Sequence, residues 1–190
     1  MPTPPRPERW NAIAQLMHWL IAALILVQGV LGLVMVEMPK RPAVIPYYNT
    51  HKSIGLTILA LVVLRLAWRL LATRRPALPP MPRWQTGFAE TTHVLLYVLI
   101  FAVPLSGWLF DSASSLRPLH WWGVVKMPSL TGGPDADLKA FAHGLHVSLF
   151  WCLVGVAALH VAGALKHHFI DRDNVLRAML PGRNTPRRTP

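Results

Sequence analysis

The sequence predicts an all-α protein, a four-helix transmembrane bundle. Residues 10–36, 91–110 and 140–165 contain no Asp, Glu, Lys or Arg, and each run exceeds the ~18 apolar residues that cross a bilayer. A fourth window, 47–71, is apolar but carries Lys52, Arg65 and Arg69. The 190-residue chain is 53% hydrophobic and 14% charged, against roughly 25% charge in a soluble domain. A soluble bundle would show a polar stripe on each helix, and "LIAALILVQGVLGLVMV" shows none.

Residues 1–9 are proline-rich and read as a loose cytoplasmic N-terminus, followed by a membrane domain over 10–182. The first span covers about 11–36. It is too long for a signal-peptide core and lacks an A-x-A-type cleavage site, so an uncleaved span is expected. After the loop "MPKRPAVIP", Tyr47 and Tyr48 stand where an aromatic belt belongs, and the second span runs to about 71. "TRRPALPPMPRW" holds four prolines and cannot stay helical for long. The third span, about 88–110, contains Pro104, where a kink is expected. The loop 111–139 holds "LRPLHWWGVV" and "TGGPDAD"; Asp135 and Asp137 suit the N-terminus of the next helix. The fourth span is about 140–165. Then "DNVLRAML" has the pattern of a short amphipathic surface helix, and 183–190 reads as a disordered cytoplasmic tail.

The net charge of +11 raises nucleic acid as a partner, but its distribution argues for a topology signal. With four spans, twelve Lys/Arg fall on the side of the termini and six on the other, with Arg65 inside the second span. The positive-inside rule then places both termini in the cytoplasm. The single cysteine, Cys152, excludes an internal disulfide, and there is no C-x-x-C-H for covalent haem. Cys152 is expected as a small apolar residue in a helix core.

The histidines are the informative residues, because imidazole is costly in lipid without a task. Depth follows from helix rise. His146 and His160 are 14 residues apart, ~21 Å along one helix and within about 40° of one face. His51 matches His146 on the outer side, and His18 matches His160 on the inner side. Two opposed imidazoles on facing helices can grip one planar metal macrocycle, so two depth-matched pairs suggest two haem sites within a bundle. His143 is the rival of His146 but lies about 100° off the face of His160. His93 competes at the inner pair. Arg65 lies 14 residues beyond His51, at the inner depth, and needs an anion such as a haem propionate; snorkelling to headgroups is the alternative. No Asp or Glu is expected inside a span, which disfavours a proton or cation transporter. A zinc site would gather three or four ligands in one place, whereas these histidines come in twos.

"LMHWLIAALI", "THKSIGLTILALVVLRLAWRL", "ETTHVLLYVLIFAVPLSGW" and "LHVAGALKHHFIDRDNVLRAMLP" together resemble the bacterial cytochrome b561 family over about residues 10–182. The resemblance implies a four-helix inner-membrane protein with two non-covalent haem b groups, ligated by His18, His51, His146 and His160. The family includes superoxide oxidases, which take electrons from superoxide at the periplasmic face and reduce ubiquinone, and that activity is the expectation. A cytochrome b subunit serving a soluble dehydrogenase or hydrogenase is the alternative. A histidine-based metal-binding or transport protein is the rival of another class. Lys52, Arg117 and Lys126 are expected to steer superoxide. Trp10, Asn11, Gln15 and His93 are expected near quinone at the inner depth. Lipid, ubiquinone and superoxide are the expected partners, with a homodimer or a redox protein as further ones, and nucleic acid is excluded.

Overall fold

Asn11 opens the first helix as its N-cap, its side-chain oxygen accepting the Ala14 N–H at 2.9 Å, which satisfies one of the orphan donors of a helix start. The computed structural model describes residues 9–39, 41–71, 76, 81–114 and 118–181. The expectations for 1–8, for Arg117 and for the tail 183–190 lie outside the described residues. Helix α1 spans Ala12–Glu37. A 3-10 turn, Pro42–Val44, leads into α2, Ile45–Leu71. Helix α3 is Arg83–Ser114, α4 is Ala136–Phe169, and a short α5 is Val175–Met179. Between α3 and α4 lies a small antiparallel hairpin, β1 His120–Trp121 and β2 Val125–Lys126. Its three-residue loop has Trp122 and Gly123 at φ 52° and 73°, the left-handed turn that glycine accommodates without strain.

The four long helices have 26, 27, 32 and 34 residues. At ~1.5 Å per residue each exceeds the ~30 Å hydrocarbon thickness. Each contains a window apolar enough to cross a membrane. Helices α3 and α4 run past the expected spans at both ends. The charge-free windows mark where lipid ends, but backbone hydrogen bonds carry the helix on into the headgroup zone. At α4 the end is set by Asp135, whose carboxylate accepts the Leu138 N–H at 2.9 Å with Asp137 in the first turn, as expected. Pro104 sits inside α3 without ending it, although it removes one i→i−4 donor.

Two sequence expectations fail here. Asp111, expected in the loop 111–139, lies instead in the last turn of α3, where it is buried and pairs with Lys52 Nζ at 2.5 Å. Cys152 is exposed on α4 rather than buried in a core, because the face of α4 that carries it looks away from the bundle.

Close backbone contacts join the helices in sequence order: α1 to α2, α2 to α3, and most extensively α3 to α4. The interior holds Ile21, Ile58, Val62 and Leu153, all buried. Large apolar side chains such as Leu26 and Val98 are exposed on the outside, as lipid-facing helices require. The start of α1 and the short α5 meet at one end of the bundle. There Trp10 N, Gln15 Nε2 and Trp19 Nε1 donate to the carbonyls of Ala178, Ala178 and Met179 at 3.0, 3.2 and 2.9 Å, which holds α5 against α1. His167 Nδ1 lies 2.6 Å from Asp173 Oδ2, tying the end of α4 to the start of α5. At the opposite end the hairpin docks on α2: Trp121 Nε1 donates to Thr57 Oγ1 at 3.0 Å, and Trp122 N to Ser53 Oγ at 3.0 Å. The "HWWG" segment thus folds over the part of α2 that follows His51.

Candidate functional site

Two pairs of imidazoles face one another at the two ends of the bundle. At the hairpin end His51 of α2 meets His146 of α4, with ring centres 6.2 Å apart and planes at 79°. At the terminal end His18 of α1 meets His160 of α4, at 6.3 Å and 79°. One face of α4 supplies a ring to each pair, 14 residues apart, and its facing partners come from two different helices. His143 is exposed and packs beside Phe110 at 5.3 Å, away from His51.

The hairpin-end rings are closely fitted. A Cβ at Gly32 would stand 3.2 Å from His51 Cε1, and one at Gly107 would stand 3.1 Å from His146 Cε1. Each glycine therefore lets a helix backbone pass directly over an imidazole. His146 is also oriented by hydrogen bonds: its Nδ1 lies 2.9 Å from the Val103 carbonyl and 3.1 Å from Ser106 Oγ. With Nδ1–H donating to that carbonyl, Nε2 is left with its lone pair, the arrangement usual for a metal-binding imidazole.

The terminal end is more crowded. His93 of α3 brings a third ring to within 5.3 Å of His160, and His93 is the more exposed of the two. Arg65 reaches in from α2, and its guanidinium donates to the Ala14 carbonyl at 2.7 Å, one turn before His18. A backbone oxygen therefore partners Arg65. Of the residues expected near quinone, Asn11 caps α1, while Trp10 and Gln15 bind the Ala178 carbonyl. Gln15 and Trp19 also line a cavity of about 560 Å3 between α1 and the segment after α5, at Leu180 and Pro181.

The steering residues separate. Lys52 spends its charge on buried Asp111. Lys126 is exposed on β2, opposite His120. Sequence reasoning missed Gly32, Gly107, Ser106 and Asp111. For Asp111 a signal existed: the depth argument applied to the histidines also brings the outer end of the third helix level with Lys52. For the glycines there was none, because small residues are common throughout membrane helices.

Fold and site together define a class: a membrane-spanning four-helix bundle that brings histidines into facing pairs at two depths. Comparison with known proteins makes this specific. The chain belongs to the prokaryotic cytochrome b561 family, whose match covers residues 9–182. It is 34% identical to "Cytochrome b561 homolog 2" of Escherichia coli over 183 residues, 92% of each chain. It is 31% identical to "Cytochrome b561 homolog 1" of the same organism over 137 residues, 71% of this chain and 75% of the relative. It is also 30% identical to "Probable superoxide oxidase CybB" of Yersinia pestis over 135 residues, 69% and 73%. The protein is thus a multi-pass bacterial inner-membrane protein of an electron-transfer family that binds b-type haem.

The residues present fit that group. A metal–imidazole bond is ~2.0–2.1 Å, and the ring centre lies about 1.2 Å behind the nitrogen, so two rings across one metal have centres ~6.3 Å apart. Both pairs meet that distance, whereas His93 and His160, at 5.3 Å, stand too close together.

Proposed function

We propose that the chain binds two b-type haems, one between His51 and His146 and one between His18 and His160, and oxidises superoxide while reducing ubiquinone. The observation that carries this reading is the pair of equivalent imidazole couples, 6.2 and 6.3 Å apart with planes at 79°, at the two ends of one membrane bundle. Bound haem iron supplies one-electron redox chemistry that these side chains lack. The protein's own work is to hold each ring in place, to separate the two sites by ~21 Å along α4, and to shape access at each end. The twelve-to-six Lys/Arg asymmetry favours the terminal end facing the cytoplasm and the hairpin end facing the periplasm. The reaction balances as two superoxide anions, one ubiquinone and two protons giving two O2 and one ubiquinol.

Each substrate has an end that suits it. The Trp hairpin and Lys126 border the periplasmic approach, and neutralisation of Lys52 by Asp111 leaves that approach only mildly cationic. The largely apolar cavity beside Gln15 and Trp19 suits a prenyl tail at the cytoplasmic end, close to His18, with His93 a further candidate there. Arg65 stays within reach as a propionate partner if its guanidinium leaves the Ala14 carbonyl.

The test uses the purified protein. Reducible b-type bands for two haems, reduced by superoxide and reoxidised by a soluble ubiquinone analogue, are expected. A colourless preparation would sink the haem reading. Two haems that superoxide leaves oxidised would transfer the donor role to a soluble dehydrogenase. A reporter active only in the periplasm and fused after Gly182 is expected to be silent; activity there reverses the two ends.

A further inference from the structure

We propose that Gln28 is the residue that orients His51, by accepting the proton of its Nδ1. The proposal rests on the reading of His51 as a haem ligand. The two rings of the hairpin-end pair are held unequally. His146 Nδ1 has the Val103 carbonyl and the Ser106 hydroxyl. His51 Nδ1 is buried and has no partner among the described residues. A buried donor without an acceptor is uncommon and calls for an explanation.

Gln28 supplies one. It reaches across from α1, and its Nε2 donates to the His51 backbone carbonyl at 2.6 Å. Its Oε1 is buried and likewise has no partner. Three such atoms occur among the described residues, the third being His168 Nδ1; the other two belong to this one pair of residues. One is a donor when Nε2 binds metal, and the other is an acceptor. Gln28 lies one turn before Gly32, where an added Cβ would stand 3.2 Å from His51 Cε1, so one face of α1 runs along the histidine. A Cβ at Gly55, one turn after His51, would stand 3.5 Å from Gln28 Nε2, an ordinary contact that places the Gln28 amide against this stretch of α2. A carboxamide carries both a donor and an acceptor. Gln28 can therefore hold the carbonyl with its NH2 and the Nδ1–H with its oxygen, after the amide turns toward the ring or through one buried water. That bond fixes Nε2 as the ligating nitrogen and raises the basicity of the ring. Gln28 is a positioning residue, acting on the metal only through His51.

Two variants of the full-length holoprotein separate this role from a simple backbone tie. Gln28→Met removes donor and acceptor together; Gln28→Glu keeps the acceptor and loses the donor to the carbonyl. In Gln28→Met the reduced-to-oxidised ratio of the hairpin-end haem at a fixed potential is expected to rise about tenfold, which is ~59 mV for one electron. Its low-spin ferric EPR signal should shift with the lost imidazolate character, and the terminal-end haem should be unchanged. Gln28→Glu should move the ratio the other way. Selective loss of the hairpin-end haem in Gln28→Met, restored in Gln28→Glu, would support the role equally. If Gln28→Glu behaves like Gln28→Met, the residue is only a tie to the backbone and the proposal falls. Unchanged potential and EPR in both variants also overturn it. His51→Ala is the control: if it keeps both haems, the ligand assignment has failed; if it loses one while the Gln28 variants shift nothing, the failure belongs to Gln28.

Discussion

At the hairpin end, two glycines leave room for the imidazoles where a Cβ would crowd them, and Lys52 pairs with Asp111. At the terminal end, a third histidine and an arginine crowd the same kind of pair, and Arg69 lies one turn beyond Arg65, over the Tyr97 ring. The ring-to-ring geometry is nearly identical, 6.2 and 6.3 Å at 79°, so the difference lies in the field around each pair. A cationic surrounding favours the state that has gained an electron, and it does so strongly where water is scarce. With haems held as proposed above, the contrast would set a direction: an electron that arrives at the hairpin end would be more stable at the more cationic terminal end.

The sharpest way to break the comparison is to remove a ring. His146→Ala is expected to abolish one haem of two and leave the other, while His143→Ala leaves both; a pyridine haemochrome assay counts them. The opposite result would mean that α4 presents His143 to α2, against the geometry seen here.

The next largest effect tests the glycine cradle, which among the described residues only the hairpin end possesses. A Cβ at Gly107 already falls 3.1 Å from His146, and extra bulk at such a contact typically costs ~1–3 kcal/mol. Gly107→Val is expected to lower hairpin-end haem occupancy by about tenfold or more, in line with losses from disturbed ligand orientation. Haem titration of the apoprotein reads this out, and equal loss at both ends would point to general unfolding instead.

The terminal end is probed by its extra groups. Arg65→Met should make the terminal-end haem harder to reduce, by a severalfold change in the reduced-to-oxidised ratio, with the hairpin-end haem little affected. His93→Ala should leave both haems in place and raise the KM for ubiquinone severalfold. If His93→Ala instead removes the terminal-end haem while His18→Ala retains it, the ligand pair there is His93 and His160.

The smallest expected effect concerns the charge pair. Asp111→Asn frees the Lys52 charge and should raise the rate of reduction by superoxide about two- to threefold at low salt, with a steeper fall as salt rises, since exposed charges are screened over ~8 Å at 0.15 M. Lys52→Met leaves Asp111 buried and unpaired, so it should lower thermal stability more than it changes the rate. A rate indifferent to both changes would separate Lys52 from substrate approach.

Much of the bundle was legible because lipid imposes a simple rule on composition. Charge-free runs located three of the four helices, an apolar run with three basic residues located the other, and Asp135 announced the start of α4. The same rule blurred the helix ends, since a helix continues where lipid stops; that is how Asp111, counted as loop, came to sit inside α3. Cys152 was misplaced for a related reason. Both faces of α4 are apolar in sequence, and hydrophobicity alone cannot tell a face turned to lipid from one turned to protein.

The sequence by itself determined depth. Rise per residue is constant along a helix, so His18, His51, His146 and His160 sort into two levels without knowledge of packing, and the basic residues sort into two sides. Rotation and approach were decided only by the tertiary structure. Which ring faces which, how near His93 comes to His160, that Arg65 spends a hydrogen bond on Ala14, and that Lys52 finds Asp111 all depend on how far each helix turns about its axis and how closely its neighbour can come. Those quantities arise from side chains packing between helices, and above all from glycines such as Gly32 and Gly107, whose meaning appears only once another helix's histidine is seen lying against them.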